Sequence, residues 1–447
     1  MSTSRNATTP IVFLLFLFIV ANVIAQPVPK VVVLSPHTEA IRVEFGKRFQ
    51  SWHEVHYGSP AEVDWRDLGG TTDDLKFVMS EFSSKHDGIN IDVFFGGGPE
   101  PYLLLKGKGL TEKYLAPAYV LSGIPQEVNG MEVYDRDGDW YGAAISSFGI
   151  LQSTLVQRKM HLPFVKTWPE LGNPKLQGWV GAGDPRNSGT MNTMFEVILQ
   201  AYGWEKGWKI ITSIGGNANR FDRYSSQTAK DVSLGETAYA LAIDFYAFTQ
   251  IAVAGPSNMT FVLPQDFTAI NADGIAILKG APNRLLAGHF MEFVLSEDGQ
   301  KLWFLPKGYP GGPEKNSMER MSIRPDFYKK FKGISNIEFS PFELKSNFKY
   351  DSPLAGVRRE VVAALIGAMV VDTHPELVKA WKKLIRNGQA ESRLPELALP
   401  PISASEALAL ASGGWKKPEI RNKKRVEWQA FAQEKYHRIA AEPVLTR

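Results

Sequence analysis

A short apolar run, a polar turn and an amphipathic stretch follow one another three times near the start of the chain. The apolar runs are residues 31–34, 63–68 and 89–95, and each turn is rich in Ser, Thr or Gly. The stretches after them carry apolar residues at helical spacing. Strands that alternate with helices predict a parallel sheet with right-handed crossovers. All three strand-to-helix turns then lie along one edge of that sheet.

Open α/β sheets bind ligands at this edge, because side chains and free helix N–H groups converge beyond the carboxyl ends of the strands. Each turn residue also has an ordinary structural role, since Ser and Thr cap helices and Gly permits tight turns. Three such turns on one edge nevertheless favour a ligand cleft. The residues predicted to face it are Ser35, His37, Gly70, Thr71, Gly97 and Gly98.

A second α/β pattern follows, with a predicted strand at 179–183, helices at 191–202 and 227–234, and a further strand at 239–246. Both helices begin just after small polar residues. A helix start concentrates unpaired N–H donors and positive dipole, so it suits a carboxylate or phosphate. The ligand residues predicted here are Ser147, Ser188, Gly189, Thr190, Ser225, Ser226, Asp244 and Tyr246.

The chain has 447 residues, which is too long for one hydrophobic core, since single cores stop growing at about 250 to 300 residues. We predict a discontinuous first lobe (26–145 and 265–345), a second lobe (146–264) and a helical C-terminal extension (346–447). Residues 146–149 and 264–270, where the chain passes between lobes, are the predicted hinge segments.

The first 25 residues differ from the rest. Arg5 precedes an apolar run at 11–20, and Val23 and Ala25 occupy the small-residue positions of a cleavage site, so we predict a signal peptide and a periplasmic location. An uncleaved anchor is the alternative, but about 15 apolar residues are fewer than the roughly 20 that span a bilayer.

Composition removes several function classes. Cysteine is absent, which excludes disulfides, thiol catalysis, thiolate metal sites and lipid attachment through an N-terminal cysteine. Lys and Arg number 50 against 47 Asp and Glu, a formal net charge of +3. That balance is too weak to make nucleic acid a partner.

Four segments, 35–40, 183–190, 235–246 and 281–303, resemble extracellular solute-binding proteins of ABC importers. The similarity is to the two-lobed class whose members carry ferric ion, phosphorylated sugars, phosphonates or thiamine. It implies a type II periplasmic-binding-protein fold, in which each lobe is a mainly parallel sheet flanked by helices. It further implies a monomeric receptor without enzymatic activity or cofactor, which delivers a small solute to ABC permease subunits in the inner membrane.

Ferric binders of the class hold their metal with a His in the first turn and two adjacent Tyr. His37 and Tyr246 match this pattern, but Phe245 stands where the first Tyr is expected. Because Fe(III) prefers several anionic oxygens, we favour an anionic organic solute, either phosphorylated or carboxylated. Ferric ion, with His37 and Tyr246 as metal ligands, remains the alternative.

Two further readings stay open. A secreted enzyme is the first, although no G-x-S-x-G motif occurs and the histidines of 53–56 miss H-E-x-x-H spacing by one residue. The second is a docking role for 416–447, which carries nine Lys or Arg against four Glu. The competing interpretation of that segment is a solvated helix that packs Trp428 and Phe431 onto the first lobe.

Overall fold

The computed structural model describes residues 27–443 except 129, 265–266, 336, 338–339 and 344–347. The predicted signal peptide lies outside the described residues. In chain order the strands are β1 (Lys30–Leu34), β2 (Glu62–Arg66), β3 (Val93–Phe95), β4 (Thr111–Glu112), β5 (Glu127–Val128), β6 (Met131–Glu132), β7 (Tyr141–Ser153), β8 (Val180–Gly183), β9 (Ala218–Asp222), β10 (Tyr239–Ile243), β11 (Met259–Val262) and β12 (Ile270–Leu278).

The helices, again in chain order, are α1 (Glu39–Tyr57), α2 (Thr71–Ser84), α3 (Pro99–Gly107), α4 (Ala118–Leu121), α5 (Thr154–Met160), α6 (Gly189–Tyr202), α7 (Trp204–Asn217), α8 (Ser225–Leu234), α9 (Asp244–Ala254), α10 (Arg284–Leu295), α11 (Glu297–Phe304), α12 (Pro325–Lys330), α13 (Ser352–Ile366), α14 (His374–Arg386), α15 (Leu394–Ala398), α16 (Ala404–Ser412) and α17 (Pro418–Ala441). A π-helical turn, Gly367–Val371, extends α13.

Two α/β lobes share one long strand. The first lobe contains parallel β2, β1 and β3, with β12 antiparallel beside β3. The second contains parallel β10, β8 and β9. Strand β7 pairs with β12 up to Ser147 and with β10 from Phe148 onward. The predicted two-lobed type II fold is confirmed, and β7 changes lobes within the predicted hinge segment 146–149.

The strand predicted at 239–246 was too long. Strand β10 ends at Ile243, and Asp244, Phe245 and Tyr246 form the first turn of α9. The Asp244 carboxylate accepts hydrogen bonds from the backbone N–H of Phe245 (2.7 Å) and of Ser147 (2.7 Å). Asp is favoured in a first helical turn because it satisfies free donors and opposes the helix dipole. The residues predicted at a strand end therefore begin a helix.

The C-terminal region packs on the second lobe, so the expectation that α17 covers the first lobe was wrong. Trp428 and Tyr436 are buried in the core that contains Trp208 and Trp381. A glycine on α7 allows the C-terminal region to pack on this lobe. A Cβ on Gly216 of α7 would lie 2.6 Å from the ring of Trp381 on α14. The missing side chain admits that indole, whose Nε1 donates to Asn217 Oδ1 at 2.8 Å.

Helix α13 of the C-terminal region reaches both lobes. It contacts α6 in the second lobe and α3 in the first. Arg358 on α13 is buried and ion-paired with Glu196 on α6 at 2.6 Å. Within the part of the chain that the structure describes, no helix combines the length and apolarity that a membrane span requires.

Candidate functional site

A polar cavity of about 270 Å³ lies between the lobes, where the turns after β1, β2 and β3 face the starts of α6, α8 and α9. Parallel strands bring those turns to one edge, as the strand–turn–helix pattern predicts. Most of the predicted site residues line the cavity, namely His37, Gly70, Thr71, Gly97, Gly98, Ser188, Gly189, Thr190, Ser225, Ser226 and Tyr246.

Three predicted residues lie behind the cavity wall. Ser35, Ser147 and Asp244 are fully buried and are absent from the lining. The Ser147 backbone N–H and hydroxyl donate to Asp244 Oδ2 at 2.7 and 3.0 Å. The Ser35 Oγ lies 3.0 Å from His37 Nδ1. These side chains support the wall and the imidazole from behind.

The hinge side of the cavity is closed by a buried charge cluster whose central residue sequence reasoning missed. Arg320 is fully buried. Its Nη1 lies 3.0 Å from His37 Nε2, and its Nη2 lies 2.6 Å from Asp273 Oδ2 and 2.9 Å from Ser146 Oγ. We call Ser35, His37, Ser146, Asp273 and Arg320 the hinge cluster.

Arg320 also joins the lobes through aromatic rings. Its guanidinium lies 4.1 Å from the Phe245 ring centroid in the second lobe and 4.9 Å from the Trp303 centroid in the first. The side chain belongs to the 310–350 stretch, which has little periodicity and whose Gly, Pro and charged residues predict irregular structure. No local signal in that stretch marks one arginine as buried.

The hinge cluster fixes the protonation of its members. Burial opposes ionisation of Asp273, but the Arg320 guanidinium and the His37 imidazole outweigh it and hold the pKa of that carboxyl well below its usual range. Burial lowers the pKa of His37, so its ring is neutral near pH 7. The cluster at neutral pH is thus an Asp273–Arg320 ion pair beside a neutral imidazole.

The second-lobe wall presents hydroxyls and helix starts. The Ser188 side chain caps α6 by accepting from the Met191 N–H at 3.3 Å. Ser225 and Ser226 are the first residues of α8, whose N-cap residue, Tyr224, makes no side-chain capping hydrogen bond. Helix starts of this kind present N–H donors that an anion accepts.

Two arginines line the cavity, and their surroundings differ. Arg42 on α1 is ion-paired with Asp67 at 2.8 Å. Arg359 comes from α13, in the C-terminal region that the sequence reasoning left outside the site. Its Nη2 lies 3.5 Å from Thr72 Oγ1 at the start of α2.

Glu100 is a further lining residue that sequence reasoning missed. It lies in the first turn of α3, directly after the Gly96–Gly98 turn, and is 3% exposed. Its Oε1 has no hydrogen-bond partner within the described residues. A carboxylate next to a glycine turn at the predicted sheet edge is a signal that the sequence did contain.

The two lobes touch across the cavity. A Cβ on Gly70 of the first lobe would lie 3.3 Å from the Asn187 carbonyl oxygen of the second. A Cβ on Gly69 would lie 2.9 Å from the Tyr224 hydroxyl. The absence of side chains at Gly69 and Gly70 lets the two lobes approach this closely.

Comparisons with known proteins agree with this geometry. Residues 99–325 match a family described as bacterial extracellular solute-binding protein. The phosphoglycerate transport regulatory protein PgtC of Salmonella typhimurium is 26% identical over 247 residues, which are 54% of this chain and 57% of PgtC. The chain therefore matches little more than half the length of that curated relative.

Solved structures share the fold at low identity. The periplasmic binding protein AfuA from Actinobacillus pleuropneumoniae, with fructose-6-phosphate bound, has a TM-score of 0.60 and 20% identity, covering 79% of this chain and 97% of AfuA. Apo ferric ion-binding protein A of Pasteurella haemolytica has a TM-score of 0.56 and 18% identity, with coverages of 75% and 96%. At these identities the likeness shows the fold alone.

Proposed function

Because this chain belongs to the family of bacterial extracellular solute-binding proteins, we propose that its interlobe cavity captures a small anionic organic solute. The solute is a phosphorylated or carboxylated compound, and the loaded protein delivers it to an ABC permease of the inner membrane. We place this receptor in the periplasm as a monomer that binds without turnover. The lobe and extension boundaries predicted above (26–145 with 265–345, 146–264 and 346–447) are part of the same proposal.

The observation that carries the proposal is the donor set around the cavity. Ser188, Ser225 and Ser226 bring two helix starts to one wall, and Thr71 stands on the opposite wall. Neutral hydroxyl and N–H donors at helix starts hold oxyanions without desolvating a second full charge. Arg359 from α13 also lines the cavity and adds a positive charge.

The size of the cavity limits the solute. Pockets for drug-sized ligands occupy roughly 300 to 1,000 Å³, and this one has about 270 Å³. A compound of a few carbons with one phosphate or carboxylate suits such a volume. The phosphoglycerate and fructose-6-phosphate in the names of PgtC and of the AfuA structure belong to this class of compound.

Ferric ion suits the site less well. His37 has Arg320 Nη1 3.0 Å from its Nε2 and Ser35 Oγ 3.0 Å from its Nδ1, so both ring nitrogens are engaged. Burial raises the pKa of the Tyr246 phenol, which disfavours the phenolate that iron requires. Phe245 stands where the first Tyr of the ferric pair is expected, so that phenolate is missing. A metal cation at His37 would also be repelled by the positively charged guanidinium of Arg320.

The solute closes the two lobes because its contacts lie on both of them. Strand β7 crosses between the lobes, and the cavity walls belong to different lobes. A solute that touches both walls gains its full set of contacts in the closed form, so binding shifts the population toward that form. The closed form is then what the permease recognises.

Ligand analysis tests the proposal directly. Solute released from purified protein by denaturation is identified by mass spectrometry, with metal analysis of the same sample. Stripped protein is then titrated with phosphoglycerate, fructose 6-phosphate, glycerate, fructose and ferric citrate while thermal unfolding is followed. We expect a rise in Tm with at least one organic anion and none with fructose. Stoichiometric iron, together with no response to any organic anion, would overturn the proposal.

A further inference from the structure

Helix α13 is held on the second lobe by its backbone and by its buried arginine. Arg358 is ion-paired with Glu196 of α6, and the Arg359 carbonyl accepts a hydrogen bond from Asn192 Nδ2 at 3.3 Å. The same helix contacts α3 of the first lobe. The backbone at Arg359 is therefore anchored beside the cavity.

The Arg359 side chain extends from that anchor into the cavity. Its Nη2 lies 3.5 Å from Thr72 Oγ1, in the first turn of α2. A Cβ on Gly189, the first residue of α6, would lie 3.2 Å from the same nitrogen. The guanidinium thus lies between a first-lobe helix start and a second-lobe helix start.

Arg359 differs from the other arginines around the cleft in its charge balance. Arg42 has Asp67 at 2.8 Å, and Arg320 has Asp273 at 2.6 Å. Within the described residues, no carboxylate lies within ion-pair distance of Arg359. A guanidinium without a counter-ion beside two helix starts is complementary to a bidentate oxyanion.

An acidic residue lines the same cavity. Glu100 is 3% exposed, and its Oε1 has no hydrogen-bond partner in the part of the chain that the structure describes. A buried carboxylate oxygen without a donor is costly. A solute hydroxyl that reaches Glu100 from the cavity would donate to its carboxylate, whereas inorganic phosphate has no carbon skeleton to carry a hydroxyl across the cavity.

We propose that Arg359 is a solute-binding residue supplied by the C-terminal region, and that it pairs with the anionic group of the solute. The inference rests on the proposed function and narrows it. The solute has a phosphate or carboxylate at the Arg359 end and a hydroxyl that donates to Glu100. The C-terminal helices are therefore part of the binding site as well as a cover for the second lobe.

The test compares Arg359→Gln and Arg359→Lys with Arg386→Gln, an exposed arginine at the end of α14. Affinities for phosphoglycerate, fructose 6-phosphate and inorganic phosphate are measured by calorimetry on full-length protein. Loss of charge-assisted hydrogen bonds predicts about 10- to 100-fold weaker binding of the organic phosphates by Arg359→Gln. Arg359→Lys should fall between, because Lys keeps the charge without the fork. Arg386→Gln should match the unchanged protein.

The outcomes separate the two proposals. If the unchanged protein binds an organic phosphate and both Arg359 variants bind it equally well, the inference about Arg359 is wrong and the proposed function stands. If the unchanged protein binds neither the three probes nor a carboxylate such as glycerate, the proposed function itself is wrong. Should Arg359→Gln fold poorly, Arg359→Met takes its place, and unchanged affinity of that uncharged variant would overturn the inference.

Discussion

Two groups of charged residues border the cleft, and they differ in whether the protein supplies a counter-ion. In the hinge cluster, Arg320 has Asp273, Ser146 and His37 within hydrogen-bond distance. On the solute-facing wall, Arg359 has a 3.5 Å hydrogen bond to Thr72 Oγ1 but no carboxylate partner, and Glu100 Oε1 has no hydrogen-bond partner, among the described residues. Buried polar groups are normally paired. We infer that the charges with a counter-ion stabilise the fold, whereas those without one are available to a ligand.

Two buried aspartates show the same contrast at single-residue level. Asp273 is held anionic by the adjacent Arg320, which keeps its pKa well below the usual range. Asp74, in the first turn of α2, is fully buried, and neither of its oxygens has a hydrogen-bond partner within the described residues. Burial, with nearby Asp67, raises the pKa of Asp74 to about 7. Arg320 and His37 lie directly beside Asp273 and outweigh burial there, whereas burial dominates at Asp74.

Removing the hinge-cluster cation should have the largest effect. Arg320→Met leaves Asp273 as a buried charge without its counter-ion, which typically costs about 3 to 5 kcal/mol in the free energy of unfolding. Urea unfolding measures the loss. Arg223→Met is the control, because Arg223 is mostly exposed and approaches Asp73 only at 3.8 Å, so we expect a change below about 0.5 kcal/mol.

A second substitution sharpens that test. Asp273→Asn in the Arg320→Met background removes the stranded charge, so it should restore part of the lost stability. If Arg320→Met costs no more than the Arg223 control, the hinge cluster does not stabilise the fold, and the contrast between the two groups is lost.

The next effect depends on pH. The pKa of Asp74 is raised on folding, so the folded protein binds more protons than the unfolded chain between about pH 4 and 7, and this group's contribution to stability falls as pH rises. The Asp74→Asn variant cannot ionise at this position, so it does not lose stability in this way as the pH rises. We expect the variant to gain about 2 to 4 kcal/mol relative to the unchanged protein between pH 4 and 8, measured by urea unfolding at both pH values. A difference between the two proteins that is independent of pH would contradict the expectation.

The contrast also separates what the sequence predicts from what it does not. The turns at Thr71 and Gly97 and the helix starts at Ser188 and Ser225 follow from local patterns, because parallel strands bring successive turns to one edge. Arg320 and Arg359 follow from no local pattern. Their segments reach the cleft through packing between residues far apart in the chain, and short-range periodicity does not encode such packing.

Backbone shape at the solute-facing wall supplies a third test. Gly97 has φ of +88°, and a Cβ there would lie 2.3 Å from Thr71 Cγ2. Gly97→Ala should therefore cost about 1 to 3 kcal/mol in stability, through strain in a sparsely populated backbone region, and should weaken solute binding by displacing Thr71. Gly107→Ala is the matched control, because nothing lies within 4 Å of its added Cβ. Equal unfolding midpoints and affinities for the two variants would contradict the prediction.

The smallest expected effect concerns selectivity. Glu100→Gln keeps the shape of the side chain but removes the charge, so a solute hydroxyl would donate to a neutral oxygen in place of a carboxylate. Charged acceptors are worth more than neutral ones, and the difference predicts about 3- to 10-fold weaker binding of phosphoglycerate or fructose 6-phosphate. Inorganic phosphate should bind equally well or more tightly, because a negative charge has left the cavity. Calorimetry with both kinds of probe measures the ratio. If both affinities rise together, Glu100 acts on the solute through its charge alone and is not a hydroxyl acceptor.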